Sequence, residues 1–203
     1  MADPHSTLVL ASGSPRRREL LERMGVPFEV IPSTVDESII PADHPRTFAL
    51  RAAYAKAADV AARVEEGRLV LAADTVVTLD GLLFGKPSSD SDARRMLMRL
   101  SGRTHDVITG LALARAGHAD ISLDSSTTAV VFKALAVHEL DHYLANGEHH
   151  DKAGAYGIQG KAGAFVERLE GDYFNVMGLP CGLVARMLAS AGLGEFSAPA
   201  PPR

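Results

Sequence analysis

The stretch Thr7-Leu-Val-Leu-Ala-Ser-Gly-Ser-Pro-Arg-Arg-Arg18 decides the fold. Thr7 to Ser12 is short and apolar and predicts a buried strand. Ser14-Pro15 then supplies a helix cap followed by proline at the first helical position, and Gly25 closes the helix. A strand that turns at once into a helix through a glycine-containing loop presents unpaired backbone N–H groups and the positive end of a helix dipole, which together suit a phosphate. Three arginines in the first turn oppose that dipole by about 0.3–1 kcal/mol each. A local conflict of this kind marks a functional site, the plain alternative being a solvated charge run. The segment is not a P-loop, because it lacks the Gly-Lys-Ser/Thr ending.

Outward from this motif the chain alternates strands and helices. Phe28 to Pro32 predicts a second strand, and an Ala-rich helix follows from about Pro45 to Glu66, stopped by Gly67. Leu69 to Ala73 is an apolar strand expected to give out at Asp74, and Val76–Leu79 with Leu82–Phe84 flank the hairpin signal Asp80-Gly81. Asp90 is expected to cap a helix whose Ala93, Met96, Leu97 and Leu100 share one face, with Gly102 after it. Alternating segments near Val107–Ala114 and Thr127–Ala134 read as strands, and Val137 to Asn146 as a helix. Asp151 to Gly160 holds three glycines in ten residues and must be a shaped loop. Gly163–Leu169 is expected as a strand, Glu170-Gly171-Asp172 as a turn, and a last helix from Pro180 to near Gly192. The pattern predicts an α/β fold with a mixed central sheet. It is expected to form a single domain over residues 1–195, with 196–203 as a disordered Pro-rich tail.

Composition sets the outer bounds. The chain has 203 residues, of which 46% are hydrophobic and 23% charged, which excludes disordered and fibrous classes. A net charge of −4 gives no global attraction to nucleic acid or anionic membrane, so neither is an expected partner. The lone Cys181 cannot close an intramolecular disulfide. Residues 1–12 lack the basic and long apolar segments of a signal peptide, and Val176–Gly194 is broken by Arg186 and glycines. A cytoplasmic protein is expected.

Three sets of residues could carry chemistry. Asp74 is placed as a general base or metal ligand, and Asp36 and Glu37 could add hard oxygen donors for Mg²⁺ or Mn²⁺. Only five lysines stand against sixteen arginines. Lys56, Lys86 and Lys152 fall in segments already under suspicion, where a compact point charge suits phosphate. The third set is His138-Glu-Leu-Asp-His142, which matches the H-E-x-x-H zinc pattern, with His149 or His150 as an offered third ligand. The charged Asp141, the missing H-x-x-G-x-x-H continuation and the early Gly147 favour an exposed polar helix instead.

Six blocks together resemble the Maf nucleotide pyrophosphatases. They are Leu10-Ala-Ser-Gly-Ser-Pro-Arg-Arg17, Ala73-Asp-Thr-Val-Val77, Gly85-Lys-Pro87, Leu100-Ser-Gly-Arg103, Asp151-Lys-Ala-Gly-Ala-Tyr-Gly-Ile-Gln-Gly160 and Asn175-Val-Met-Gly-Leu-Pro180, in family order from about residue 7 to 192. The resemblance implies two lobes around a cleft, related in shape to inosine triphosphate pyrophosphatases, and often a homodimer. It implies hydrolysis of dTTP and UTP, and of modified pyrimidine nucleotides, to the monophosphate and pyrophosphate with a divalent metal cation. The alternative it carries is a nucleotide-binding regulator of cell division and septum formation. By similarity Asp74 is the proton acceptor and Lys86 a catalytic partner; Arg16, Thr75 and Gln159 set base selection. Ser12, Arg17, Lys56 and Lys86 would bind phosphate, and Glu37 with Asp74 the metal. Asn175 and His138 depart from the family pattern, both at positions expected to lie away from the site.

Overall fold

The computed structural model describes residues 8–194; Thr7 and the Pro-rich tail lie outside the described residues. Seven strands form one mixed sheet, β1 (Leu8–Leu10), β2 (Phe28–Val30), β3 (Leu69–Leu79), β4 (Leu82–Phe84), β5 (Thr104–Arg115), β6 (Ile121–Phe132) and β7 (Val166–Glu170). Their order is β2-β1-β3-β5-β6-β7, with β4 attached to β3. The β1–β2 and β1–β3 pairs are parallel and the others antiparallel. The helices are α1 (Pro15–Arg23), α2 (Pro45–Ala61), α3 (Asp90–Leu100), α4 (Val137–Leu144), α5 (Tyr173–Met177) and α6 (Cys181–Ser190).

Local chemistry explains most boundaries. Ser14 Oγ accepts the Arg17 N–H and Pro15 takes the first helical position, so α1 starts where its cap dictates. Such a cap is worth about 0.5–2 kcal/mol. Asp80 and Gly81 both take positive φ, 53° and 78°, as a two-residue hairpin of the primed type requires. The residue that caps α3 is Ser89, whose Oγ accepts the Asp92 N–H, and Asp90 is the first helical residue rather than the cap.

Several expected boundaries are corrected. The helix expected to reach Glu66 ends at Ala61: the Ala62 N–H still donates to Ala58 O, but the Arg63 N–H turns to Val60 O three residues back, and the Gly67 N–H goes to Ala116 O. Gly163 does not begin a strand: its N–H turns back onto Gly160 O, residues 161–165 form a 3₁₀ turn, and pairing with β6 starts only at Val166. α4 stops at Leu144, and the short α5 has no counterpart in the sequence reading.

β3 is the axis of the molecule. Its residues alternate between two faces. Leu69, Leu71 and Ala73 pack with α1 and α6 against Leu20, Leu179 and Val184, and further along the same face Val77 and Leu79 join a second core with Leu97 of α3 and Leu140 of α4. Val70 and Ala72 face the other way, against Ala53, Ala57 and Val60 of α2. Small residues on α2 let it lie close to the sheet, closest at Gly110 of β5, where an added Cβ would sit 2.4 Å from Ala49 O.

Candidate active site

Asp74 was expected where a strand ends; it lies in the middle of one instead, paired with Gly110. The opening comes from β3's neighbours. One edge of β3 is covered by β5 from Leu69 to Thr78. On the other edge β1 reaches only Val70 and Leu71, and β4 takes up pairing again at Val77. Between those two short strands, residues 72–76 have no strand partner, and a cleft of about 980 Å³ opens there. Ser12, Arg16, Arg17, Glu37, Lys56, Asp74, Thr75, Lys86 and Gln159 all line it, so the structure brings together the residues that the family resemblance implies for the site, while the histidines of the zinc pattern lie elsewhere.

Period-2 geometry sends Asp74 and Thr75 to opposite faces of β3. Asp74 joins the α2 face, where Lys56 Nζ lies 2.7 Å from its Oδ1 and 2.6 Å from Glu37 Oε1. Burial pushes the Asp74 carboxyl above the usual carboxylate range, with Lys56 and Arg17 pulling it back. A carboxylate raised in this way is a better proton acceptor than one in water. Glu37 and Asp74 thus converge on one cation, and both are hard oxygen donors of the kind Mg²⁺ and Mn²⁺ take beside substrate phosphates. The pair therefore fits a divalent ion. Asp36 does not join them: its Oδ1 accepts the Ser38 N–H at 2.9 Å and caps the turn that presents Glu37.

Thr75 joins the α1 and α5 face, where the network is neutral apart from one guanidinium. Arg17 donates from Nε to Gly178 O at 2.8 Å, from Nη1 to Ser12 Oγ at 3.2 Å and from Nη2 to Thr75 Oγ1 at 3.0 Å. With its oxygen accepting from Arg17, the Thr75 hydroxyl donates to Thr109 Oγ1, 2.9 Å away, and Thr109 donates to Asn175 O at 3.2 Å. Asn175 is fully buried and fixed by its own Nδ2 bonds to Val107 O and Thr128 Oγ1. It stands two contacts behind Thr75 and so supports the site from within. Neither Thr109 nor Asn175 is a site residue in the sequence reading, since a threonine inside an apolar alternating strand carries no local signal. Arg17 keeps two guanidinium N–H groups beyond these three bonds.

The glycine-rich loop closes the cleft on its far side. Gly154, at φ +68°, donates its N–H to Gly85 O at 3.0 Å, which ties the loop to the segment carrying Lys86. Lys152 is used internally, its Nζ bonding Glu148 O and Asp151 Oδ1, both at 2.6 Å. Arg16 meets Asp151 at 3.3 Å and links α1 to this loop. Lys86 and Gln159 are exposed on the cleft wall. The zinc-protease arrangement is absent among the described residues: Glu139 accepts the Ala136 N–H and pairs with Lys133, and neither His138 nor His142 belongs to a group of three potential metal ligands.

The family described as Maf-like protein matches residues 7–191. A dTTP/UTP pyrophosphatase of Syntrophomonas wolfei is 46% identical over 183 residues, 90% of this chain and 96% of the relative. One from Moorella thermoacetica is 49% identical over 188 residues, 93% of this chain and 96% of the relative. Among solved structures, a HAM1 protein from Coxiella burnetii aligns with 62% of this chain and 72% of its own at 18% identity, with a TM-score of 0.46.

Proposed function

The chain belongs to the Maf-like protein family, and from that premise we propose that its cleft hydrolyses dTTP and UTP to the monophosphate and pyrophosphate. The observation that carries the reading is the buried Asp74 at the uncovered edge of β3, facing Lys56 and the Ser12–Arg17 turn across one cleft. Water attacks the α-phosphorus in line, its proton passes to an Asp74 carboxylate oxygen, and the bond from the α-phosphorus to the oxygen bridging to the β-phosphorus breaks as pyrophosphate leaves. Ser12, Arg17, Lys56 and Lys86 bind the phosphates, with the N–H groups at the start of α1 beside them. Lys86, among the described residues, has no ion-pair partner and is free to meet the charge that develops on the leaving group. Glu37 and Asp74 would hold the Mg²⁺ or Mn²⁺, which supplies charge neutralisation to the triphosphate and lowers the pKa of bound water.

Base selection falls to Arg16, Thr75 and Gln159. The pairing edge of uracil or thymine shows a carbonyl, an N–H and a second carbonyl, and the Gln159 amide both donates and accepts. We place the protein in the cytoplasm, acting as a homodimer; among the described residues no helix is long and apolar enough to cross a membrane. The test is pyrophosphate release from a panel of dTTP, UTP, CTP, the purine triphosphates and 7-methyl-GTP, with Mg²⁺ or Mn²⁺ and with chelator. Metal-dependent release confined to dTTP, UTP and their close analogues is the expected result. Binding without turnover would overturn the assignment and favour a regulatory nucleotide-binding protein.

A further inference from the structure

Outside the cleft, the described residues contain one cluster whose chemistry the proposed reaction does not use. Asp90 opens α3, while His149 and His150 precede the glycine-rich loop; each offers one ligand atom, and the three atoms lie within 4.8 Å of one another. None of the three residues lines the cleft. His149 is fully buried, with Nε2 2.9 Å from Asp90 Oδ1, and His150 Nε2 is 4.0 Å from the same oxygen. The two imidazoles lie with centroids 4.1 Å apart, their planes tilted 44° to one another.

We propose that Asp90, His149 and His150 form a transition-metal site, distinct from the catalytic one, that takes Zn²⁺ and staples the glycine-rich loop to the start of α3. Two imidazoles and one carboxylate are a borderline-soft donor set, suited to Zn²⁺ and its late first-row neighbours and poorly suited to Mg²⁺, which asks for oxygen ligands. Ligands around tetrahedral zinc stand about 3.4 Å apart, so the 2.9 Å Asp90–His149 contact has to open by about half an ångström and the wider separations, none above 4.8 Å, have to close by about 1.4 Å or less. The buried His149 supplies the fixed point, while Asp90 and His150 have side chains 71% and 64% exposed and are free to move. Ligation through His149 Nε2 moves its proton to Nδ1, which has no hydrogen-bond partner at present. Three protein ligands leave the fourth position to water.

The staple would act on the cleft mechanically. The chain runs directly from His150 into Asp151, which pairs with Arg16, and Lys152, which holds Glu148 O. An ion at the cluster would therefore fix the loop wall that carries Gln159 from behind.

The experiment titrates Zn²⁺ calorimetrically into chelator-treated full-length protein with Mg²⁺ in large excess, and follows Tm in parallel. One high-affinity equivalent is expected, with Tm raised by about 5–10 °C when Zn²⁺ is about a hundredfold above its dissociation constant. His150→Ala should weaken that equivalent at least tenfold and lose the Tm rise, while keeping its Mg²⁺-supported pyrophosphate release. Glu37→Gln and His142→Ala should bind Zn²⁺ as the wild type does. Absence of a high-affinity equivalent, its survival in His150→Ala, or its loss in Glu37→Gln or His142→Ala would overturn the proposal; none of these bears on the hydrolase reading.

Discussion

Asp74 and Thr75 are chain neighbours, yet the two faces of β3 they serve are built on opposite electrostatic principles. On the α2 face, Asp74, Glu37 and Lys56 form a cluster in which every member is ionisable and one ammonium is shared between two carboxylates. On the α1 face, Thr75, Thr109 and Asn175 form a run of neutral hydrogen bonds, anchored by a guanidinium that never deprotonates. The first arrangement is made of groups that can exchange a proton or a cation. The second holds shape through fixed hydrogen bonds, with two guanidinium N–H groups of Arg17 left over. In the proposed reaction chemistry and positioning divide between the two sides of one strand, and the edge of β3 left uncovered between β1 and β4 opens onto both.

The largest effect that would sharpen this division is at Asp74. Asp74→Asn keeps the hydrogen-bonding outline and removes the proton acceptor, so pyrophosphate release is expected to fall by about 10²–10⁴-fold with Tm retained. Normal turnover in this variant would remove the chemical role from the α2 face. Gly110→Ala attacks the same face from behind. Its Cβ would lie 2.4 Å from Ala49 O, so α2 must shift, taking Lys56 with it. A loss of about 1–3 kcal/mol in denaturant unfolding is expected, together with a fall in turnover of up to about 100-fold.

The neutral face predicts a pH dependence. His105 lies on the Thr109 side of β5, buried against Phe132 and Tyr156, and desolvation lowers its pKa to about 4. The unfolded chain takes up that proton near the ordinary value of about 6.5. This contribution is therefore complete above that pH and is lost as pH falls toward 4, up to about 3 kcal/mol. His105→Gln should flatten the decline in unfolding free energy between these limits, and an unchanged slope would show that His105 is not held neutral. The smallest effect is expected for Thr109→Val, which leaves the Thr75 hydroxyl without its acceptor, while Asn175 O keeps the Gly178 N–H. About 1 kcal/mol of stability should go, with a loss of discrimination among dTTP, UTP and CTP that exceeds any loss of turnover. A larger fall in turnover than in selectivity would break the division of labour.

Much of the fold was legible because its signals are local. Ser14, Pro15, Asp80 and Gly81 act on their own backbone or within three residues of it, and each stands where its chemistry predicts. The site residues were legible as motif blocks. What those blocks do not carry is the support behind them: Thr75 meets Thr109 across a sequence separation of 34 residues, and Thr109 meets Asn175 across 66. The same holds for Asp90 and His149, which meet across 59 residues, so that no local pattern announces their cluster with His150. The start of β7 carries no local signal because its partner Phe132 on β6 sets it, and α2 ends ahead of Gly67 through a backbone bond, Arg63 N–H to Val60 O, that no residue type announces.

The amino-acid sequence by itself determined the alternation of strands and helices, the caps and turns, and the identity of the charged groups that line the cleft. Only the tertiary structure decided that Asp74 sits mid-strand and still reaches a cleft. That outcome depends on how far β1 and β4 extend along one edge of β3, and strand pairing is settled between segments distant in the chain, where no single residue's propensity has a say.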